Sequence, residues 1–331
     1  MPGQRDVTRI NPVLKTYDWG DTTFIPRLLG LEPSGKPVAE AWFGTHPAGE
    51  ATLDDGTPLS TLTGPLPFMV KFLSAARPLS LQVHPSLAQA REGFARENAA
   101  GIALDDPRRN YRDASDKPEI LIALGPFSAL CGFHDPAATA GWFRAKGWNE
   151  LADGLDSLGI EGFVVEALTG TRLSVPADLP PWTETLRAAH PDDPAILVAL
   201  LMHWVELAPG ECLALEAGVL HAYLSGNAVE VMNESDNVVR AGFTTKHRDR
   251  DELLRITSFE PCASPVRRAI NGTYPSTGSY RVSVHETGTT ITAAQTTIVV
   301  TSTGDAAVLT AGQRYEVTDG TAFAATAGTP R

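Results

Sequence analysis

The feature that most constrains the fold is a change of residue pattern part-way along the chain. Residues 11–83, and again those after the middle of the chain, form short apolar runs separated by proline and glycine, which favours short strands joined by turns. Residues 135–205 instead suit helices, because Asp135 and Pro136 fit an N-cap and a first helical position. The apolar run 194–204 predicts one buried helix. The chain is therefore predicted to be a β fold that carries a helical insert.

Two elements between these regions, and the end of the chain, complete the outline. Ser86 suits the N-cap of a helix that reaches about residue 100, and residues 119–124 predict a buried strand. From about residue 261 the chain is rich in Thr, Val, Ala and Gly and has few groups suited to catalysis. We expect this last part to be a small, separate β domain.

Composition excludes several classes of protein. A chain of 331 residues favours two or three domains, and a hydrophobic content of 43% can supply a large core. No apolar run is long enough to cross a bilayer, and no signal-peptide pattern opens the chain. The three cysteines are far apart and form no CxxC, which favours a reducing cytoplasm. A net charge of −12 argues against nucleic acid or an anionic membrane as the partner.

The first candidate site lies in residues 79–85, where polar and apolar side chains alternate. In a strand, Ser80, Gln82 and His84 project from one face, while the intervening Leu81 and Val83 face the core. Such a polar face suits a ligand or a metal. A purely structural or exposed Gln-x-His pair remains an alternative at this point.

The second candidate is the pair Lys117 and Glu119, two residues apart around Pro118. Glu119 opens an apolar strand, where a carboxylate is costly unless it is paired or binds a metal. A salt bridge at a surface strand end is the alternative explanation.

The third candidate runs from a glycine turn to a histidine and on to two cations. His221 follows the turn and suits a metal ligand, although a hydrogen-bonded core histidine would give the same pattern. Arg240 and Lys246 supply the local positive charge that an acidic protein needs to bind a phosphate. Together with Gln82, His84 and Glu119, His221 makes a mixed nitrogen and oxygen donor set that suits zinc with an open position.

These segments resemble the type I phosphomannose isomerase family of the cupin superfamily. The matching motifs, in chain order, are residues 17–20, 39–47, 79–85, 116–119, 221–223 and 235–246. The resemblance spans nearly all of residues 11–260. It implies a mainly β fold with an α insert: a cupin (jelly-roll) barrel catalytic domain at 1–134 and 206–260, a helical insert at 135–205, and a C-terminal cupin-like β domain at 261–331.

The resemblance also implies an activity and a set of site residues. The family interconverts mannose 6-phosphate and fructose 6-phosphate through a cis-enediol, so a hexose 6-phosphate substrate, one zinc ion and a monomeric, cytoplasmic chain are expected. The implied zinc ligands are Gln82, His84, Glu119 and His221, and the residues implied to line the pocket are Ser80, Lys71, Lys117, Tyr223, Glu230, Asp236, Arg240 and Lys246.

We expect distinct roles for these pocket residues. Arg240 would stabilise the enediolate or contact the phosphate, Asp236 would transfer a proton, and Lys117 would polarise a sugar oxygen. Lys71, Lys246 and Ser80 would hold the phosphate, while Tyr223 and Glu230 would contact the sugar.

Three alternatives stay open from the sequence. One is an isomerase of another hexose phosphate, and the second is a non-catalytic cupin that binds sugar phosphates. The third is an iron-dependent redox cupin, which the Gln ligand disfavours. The chain departs from the family pattern at Asn227 and Thr245 and has a shorter insert, and none of these changes removes a proposed ligand.

Overall fold

A computed structural model describes residues 7–169, 172–275 and 277–328. The strands of these residues are β1 (Thr8–Asn11), β2 (Val13–Lys15), β3 (Glu40–Phe43), β4 (Thr52–Leu53), β5 (Phe68–Ala75), β6 (Leu81–Val83), β7 (Glu119–Ala123), β8 (Phe127–Phe133), β9 (Met202–Leu207), β10 (Glu211–Leu215), β11 (His221–Asn233), β12 (Val239–Gly242), β13 (Val266–Arg268), β14 (Tyr280–Glu286), β15 (Thr290–Thr292), β16 (Thr297–Thr301), β17 (Ala306–Leu309), β18 (Arg314–Glu316) and β19 (Thr321–Ala327).

The helices of the same residues are shorter and lie mostly in the middle of the chain. They are α1 (Phe24–Leu28), α2 (Ser60–Thr63), α3 (Leu87–Ala99), α4 (Pro136–Ala145), α5 (Asn149–Thr169), α6 (Glu184–Ala189), α7 (Ala195–Ala199) and α8 (Arg250–Ile256), with a 3₁₀ turn at Pro181–Thr183. Gly159, at φ 66°, kinks α5. No helix among the described residues is both long and apolar enough to cross a membrane.

The larger sheet is organised around the long strand β11. Its main path is β13-β10-β7-β11-β5-β3-β2, and the other end of β11 pairs with β6 and β8, which lead on to β12 and β9. Between the two halves, the register shifts between Tyr223 and Ser225, and Gly226 adopts φ 124°. Because a bulge bends a strand, β11 can belong to two faces of the fold and present side chains between them.

The smaller sheet combines both ends of the chain. Its order is β14-β19-β16-β17-β1-β4, so two strands from the first 53 residues complete a sheet that otherwise comes from the C-terminal part. Ile10, Phe43, Tyr280 and Phe323 belong to one buried cluster that joins this sheet to the larger one. A strand from the C-terminal part also joins the larger sheet, since β13 pairs with β10. The division at residue 261 stays a prediction, and strands from each side of this residue pair with strands from the other side.

The helical insert confirms one part of the sequence analysis and corrects another. Asp135 caps α4 by accepting the backbone N–H of Ala138, and Pro136 opens that helix as predicted. The prediction of one helix over residues 194–204 is wrong, since α7 ends at Ala199 and β9 begins at Met202. A continuous apolar run fits either structure, and here the free edge of β8 supplies hydrogen bonds that only a strand can use. The predicted insert boundary at 205 therefore falls inside β9.

Two other predicted elements are confirmed. Ser86 caps α3 in a capping box with Gln89, because each side chain accepts from the other residue's backbone N–H. Strand β7 begins at Glu119 as predicted and is buried along its whole length. The overall prediction of a mainly β fold with a helical insert is also confirmed.

Candidate metal centre and surrounding pocket

Three predicted ligands meet in the interior of the larger sheet. One ligand atom from each of His84, Glu119 and His221 lies within 4.8 Å of the others, and all three residues are buried. His84 Nε2 is 3.4 Å from Glu119 Oε1, and His221 Nε2 is 3.8 Å from Glu119 Oε2. The described residues hold no other group of three or more His, Cys, Asp and Glu with this spacing.

Strand pairing brings Gln82 to the same group. Residue 82 of β6 lies opposite His221 of β11 in the antiparallel register, and the Gln82 amide is 3.5 Å from His221 Nε2. The Ser80 hydroxyl donates to Gln82 Oε1 at 3.1 Å. Leu81 and Val83 are fully buried, which confirms the predicted alternation.

Backbone carbonyls orient both imidazoles toward the centre. His84 Nδ1 lies 2.8 Å from the carbonyl of Asn237, and His221 Nδ1 lies 2.9 Å from that of Val219. A carbonyl only accepts, so each Nδ1 carries the hydrogen and each Nε2 lone pair faces the group. Burial also lowers the pKa of both rings, which keeps them neutral as metal ligation requires.

His84 Nε2 has no hydrogen-bond partner although it is buried, within the part of the chain that is described. An orphaned acceptor of this kind is costly in a dry interior unless another group fills the centre. Two imidazole nitrogens, a carboxylate and an amide are donors that zinc accepts. The residues present therefore fit the predicted zinc ion.

Glu119 is held in its charged form. Burial opposes ionisation, but the ammonium of Lys117, supported by that of Lys71, outweighs burial and lowers the pKa of the carboxyl. Lys117 Nζ lies 2.8 Å from Glu119 Oε1. Lys117 thus contacts one of the proposed metal ligands directly.

A second buried layer of charge lies behind Glu119. Glu230 Oε2 accepts from Lys71 Nζ at 3.1 Å, and Glu40 lies 3.6 Å from the same ammonium. Tyr223 donates to Glu230 at 2.9 Å and approaches Glu119 at 3.3 Å. Burial and the nearby Glu119 carboxylate raise the pKa of Glu230. Because Lys71 is shared by two carboxylates, it is better suited to fix Glu230 than to bind a phosphate.

Three cationic residues, Arg112, Arg240 and Lys246, form what we call the rim of the site. Arg240 lies on β12 opposite Gln82, and Lys246 Nζ lies 5.9 Å from the centre of the Tyr17 ring. Burial, reinforced by neighbouring cations, lowers the pKa of both groups, with Arg112 repelling each of them. None of the three cations has an ion-pair partner among residues 7–169, 172–275 and 277–328. Positive charge without a direct ion-pair partner suits a phosphate in an acidic protein.

Asp236 lies outside the metal group. Its side chain is 42% exposed, and Oδ2 is 3.5 Å from His46 Nε2. It follows β11 in the turn that contains Asn237, whose carbonyl orients His84.

Sequence reasoning did not single out His46, Arg112, Asn237 or Glu40. His46 and Glu40 stand in the motif 39–47, and Asn237 stands in the motif 235–246, so the resemblance covered three of them without indicating a role. Arg112 carried no signal beyond its place in a charged loop.

A cavity of about 610 Å³ lies elsewhere, beside α1. Arg27, Asn227 and Thr303 are among its lining residues, and none of the proposed metal ligands lines it.

Comparison with known proteins identifies the family. A family model described as phosphomannose isomerase type I, catalytic domain, matches residues 7–64 and 58–136. Mannose-6-phosphate isomerase of Shigella flexneri is 34% identical over 363 aligned residues, covering 94% of this chain and 92% of the relative. The chain belongs to the type I phosphomannose isomerase family.

Other phosphomannose isomerases extend the comparison. The human mannose-6-phosphate isomerase is 30% identical, covering 77% of this chain and 73% of the relative. A crystal structure of mannose 6-phosphate isomerase bound with zinc and yttrium superposes with a TM-score of 0.82 at 26% identity, covering 97% of this chain and 99% of that one. A zinc-bound holo form superposes with a TM-score of 0.79 over the same shares. The predicted family and cupin-class fold are thereby confirmed.

Proposed function

We propose that this chain interconverts D-mannose 6-phosphate and D-fructose 6-phosphate. The observation that carries the proposal is the buried, convergent group of His84, Glu119 and His221 in a chain of this family. The cations near it, which have no direct ion-pair partner among the described residues, supply the charge that a phosphorylated substrate needs.

Gln82, His84, Glu119 and His221 would hold one zinc ion. When bound, zinc supplies a Lewis acid that polarises a sugar oxygen. The carbonyls that orient the two histidines keep the donor atoms in place, and Lys117 holds Glu119 as a carboxylate.

The isomerisation moves one hydrogen from C2 to C1 and one from O2 to O1, with no net oxidation. A residue must therefore take a proton from carbon and return it to the neighbouring carbon. We assign this transfer to Asp236, whose exposed carboxylate can reach a substrate. Lys117 and Arg240 would stabilise the negative charge of the enediolate between the two transfers.

The phosphate would bind at the rim, between Lys246 and the Ser80 hydroxyl. Anchoring the far end of the sugar holds C1 and C2 near the reacting groups, which lowers the entropic part of the barrier. Tyr223 and Glu230, fixed by Lys71, would contact the sugar hydroxyls from the buried side.

A coupled assay tests the proposal. The purified protein is given mannose 6-phosphate, and fructose 6-phosphate is measured before chelation, after chelation and after Zn²⁺ is restored. We expect turnover that disappears with the chelator and returns with zinc. Turnover of glucose 6-phosphate instead would indicate a different isomerase, and substrate binding without turnover would indicate a binding protein.

Two substitutions separate the metal from the chemistry. Arg240→Ala should keep zinc but lower kcat by about 10²–10³-fold, because a charge that stabilises the transition state is lost. His84→Ala should lose zinc and activity together. Arg9→Ala is the matched control, since Arg9 is an exposed arginine paired with Asp305 in the smaller sheet. An unchanged kcat with a raised KM in Arg240→Ala would limit Arg240 to binding.

The remaining sequence predictions concern the cell rather than the site. A monomeric, cytoplasmic chain without a nucleic-acid or membrane partner stays a prediction, and the net charge of −12 supports its last part.

A further inference from the structure

The geometry points to His46 as a positioning residue that holds Asp236 in place for proton transfer. This inference rests on the proposed function and deepens it, since it names a residue that acts on the substrate only through another. The two residues are 190 positions apart by their numbers, and His46 belongs to the motif 39–47, to which sequence reasoning assigned no role.

The hydrogen bond of His46 to the backbone fixes its tautomer. Its Nδ1 accepts the backbone N–H of Ala48 at 3.0 Å, so Nδ1 carries no hydrogen. The ring hydrogen of the neutral imidazole is then on Nε2, which faces Asp236 Oδ2 at 3.5 Å. Nε2–H is a donor and the carboxylate is an acceptor, so the pair is complementary without protonation of the ring.

Only one member of the pair can reach a substrate. The His46 side chain is 8% exposed, whereas that of Asp236 is 42% exposed. The Nδ1 lone pair of His46 is occupied by the Ala48 N–H, and Nε2, which carries the ring hydrogen, lies 3.5 Å from Asp236 Oδ2. His46 therefore cannot itself take a proton from a sugar carbon, and Asp236 is the member with a free face.

Packing against Trp42 holds the His46 ring in one orientation. Its ring packs edge-on against Trp42 at 5.3 Å between centroids, and Trp42 Nε1 donates to Glu40 at 2.7 Å. Glu40 in turn lies 3.6 Å from Lys71, in the second layer of the pocket. A chain of packed and hydrogen-bonded groups thus joins His46 to the interior of the site.

The Asp236 side chain needs a donor that fixes its orientation. Its own backbone N–H donates to Asp113 at 2.9 Å, which fixes the turn but leaves the side chain able to rotate. A donor from one side restricts that rotation and aims the carboxylate. A misplacement of about 1 Å in a reacting group can cost on the order of 10²-fold in rate.

The test compares two substitutions of His46 by kcat and KM for mannose 6-phosphate. His46→Phe keeps the ring against Trp42 but removes the N–H, and we expect kcat to fall by about 10-fold or more, with KM within about twofold. His46→Gln can still present an N–H toward Asp236, and we expect it to recover most of kcat. His285→Phe, at a histidine of β14 that contacts Ser283, is the control and should match the wild type.

A double-mutant cycle distinguishes positioning from a general structural effect. If His46 acts through Asp236, His46→Phe should cause little further loss in the Asp236→Asn background, whereas independent effects would multiply. Multiplying losses, or equal kcat in His46→Phe and wild type, would overturn the inference. If His46→Phe fails to fold, His46→Ala, which also removes the N–H, takes its place in the same cycle. Absence of turnover in the wild type would instead reject the proposed function, so the two failures are distinguishable.

Discussion

At the scale of single residues, Asn237 organises more of the site than any proposed ligand does. Its side-chain oxygen accepts the N–H groups of Arg112 and Asp113, at 2.7 and 3.2 Å. Its amide nitrogen donates to the carbonyls of Asp113 and Ser115, at 2.9 and 2.8 Å. Its backbone carbonyl orients His84. One buried amide therefore connects the loop before Glu119 to the metal centre.

Asn237→Asp is the sharpest test of this connection. The change replaces a donor with a carboxylate oxygen that faces the carbonyls of Asp113 and Ser115, so the turn should shift and release His84. We expect zinc affinity to fall by about 10–100-fold, as for other groups that orient a metal ligand. Competition with a chromophoric chelator measures this affinity.

Asn227→Asp provides the matched control for that change. Asn227 lies in β11 and, like Asn237, has a side-chain partner, since its Oδ1 accepts from Ser74 at 2.6 Å, but it lines the cavity away from the metal ligands. Its substitution should leave zinc affinity unchanged. Equal zinc affinity in Asn237→Asp and the wild type would show that His84 does not depend on the turn.

At the scale of elements, α8 is tied to α3 and to the loop before β7 through Glu252. The Glu252 carboxylate accepts from Arg96 at 2.8 Å, from Arg255 at 2.6 Å, and from the Tyr111 hydroxyl. Burial opposes ionisation of Glu252, but the hydrogen bonds outweigh burial and lower its pKa. A carboxylate with a lowered pKa stabilises the fold above its ordinary pKa of 4.5, and that contribution is lost as the pH falls through the folded value.

Glu252→Gln should therefore lower the free energy of unfolding in a pH-dependent way. At pH 7 we expect a loss of about 1–3 kcal/mol, because one charged partner of several hydrogen bonds is removed while both arginines stay partly hydrated. The difference from wild type should shrink as the pH falls below 4.5. Urea unfolding at several pH values measures it.

Glu92→Gln is the control for the buried carboxylate. Glu92 pairs with the same two arginines, but its side chain is 64% exposed, so its loss should cost less than about 1 kcal/mol. Equal losses in the two variants, or a Glu252→Gln loss that does not depend on pH, would contradict the account of α8.

At the scale of the whole molecule, the metal centre joins parts of the chain that strand order keeps far apart. His84 follows β6, Glu119 opens β7 and His221 opens β11, so a bound ion would cross-link three strands in the folded state alone. Binding restricted to the folded state stabilises it, by about 2.7 kcal/mol at a free concentration 100 times Kd.

Zinc should consequently raise the melting temperature of the chelated protein by about 5 °C. Differential scanning calorimetry with and without Zn²⁺ measures this shift independently of turnover. His84→Ala should abolish the shift, and Asp236→Asn should preserve it, because Asp236 lies outside the metal group. A zinc-dependent shift that survives in His84→Ala would mean that the ion binds elsewhere.

Features that depend on neighbouring residues could be predicted from the sequence alone. The alternation around Gln82, the caps Ser86 and Asp135, and the buried start of β7 at Glu119 rest on side-chain direction and local hydrogen bonds. The resemblance added the family and the set of ligand residues, because those motifs are short and contiguous.

Only the tertiary structure decided which distant residues meet. Gln82 and His221 are 139 positions apart and become neighbours through the pairing of β6 with β11. The edge of β8 turned the apolar run at residues 202–204 into a strand, and β1 joined a sheet built mostly from the other end of the chain. The physical reason is that strand pairing and burial are satisfied by whichever segment the completed fold brings close, and local sequence carries no record of that partner.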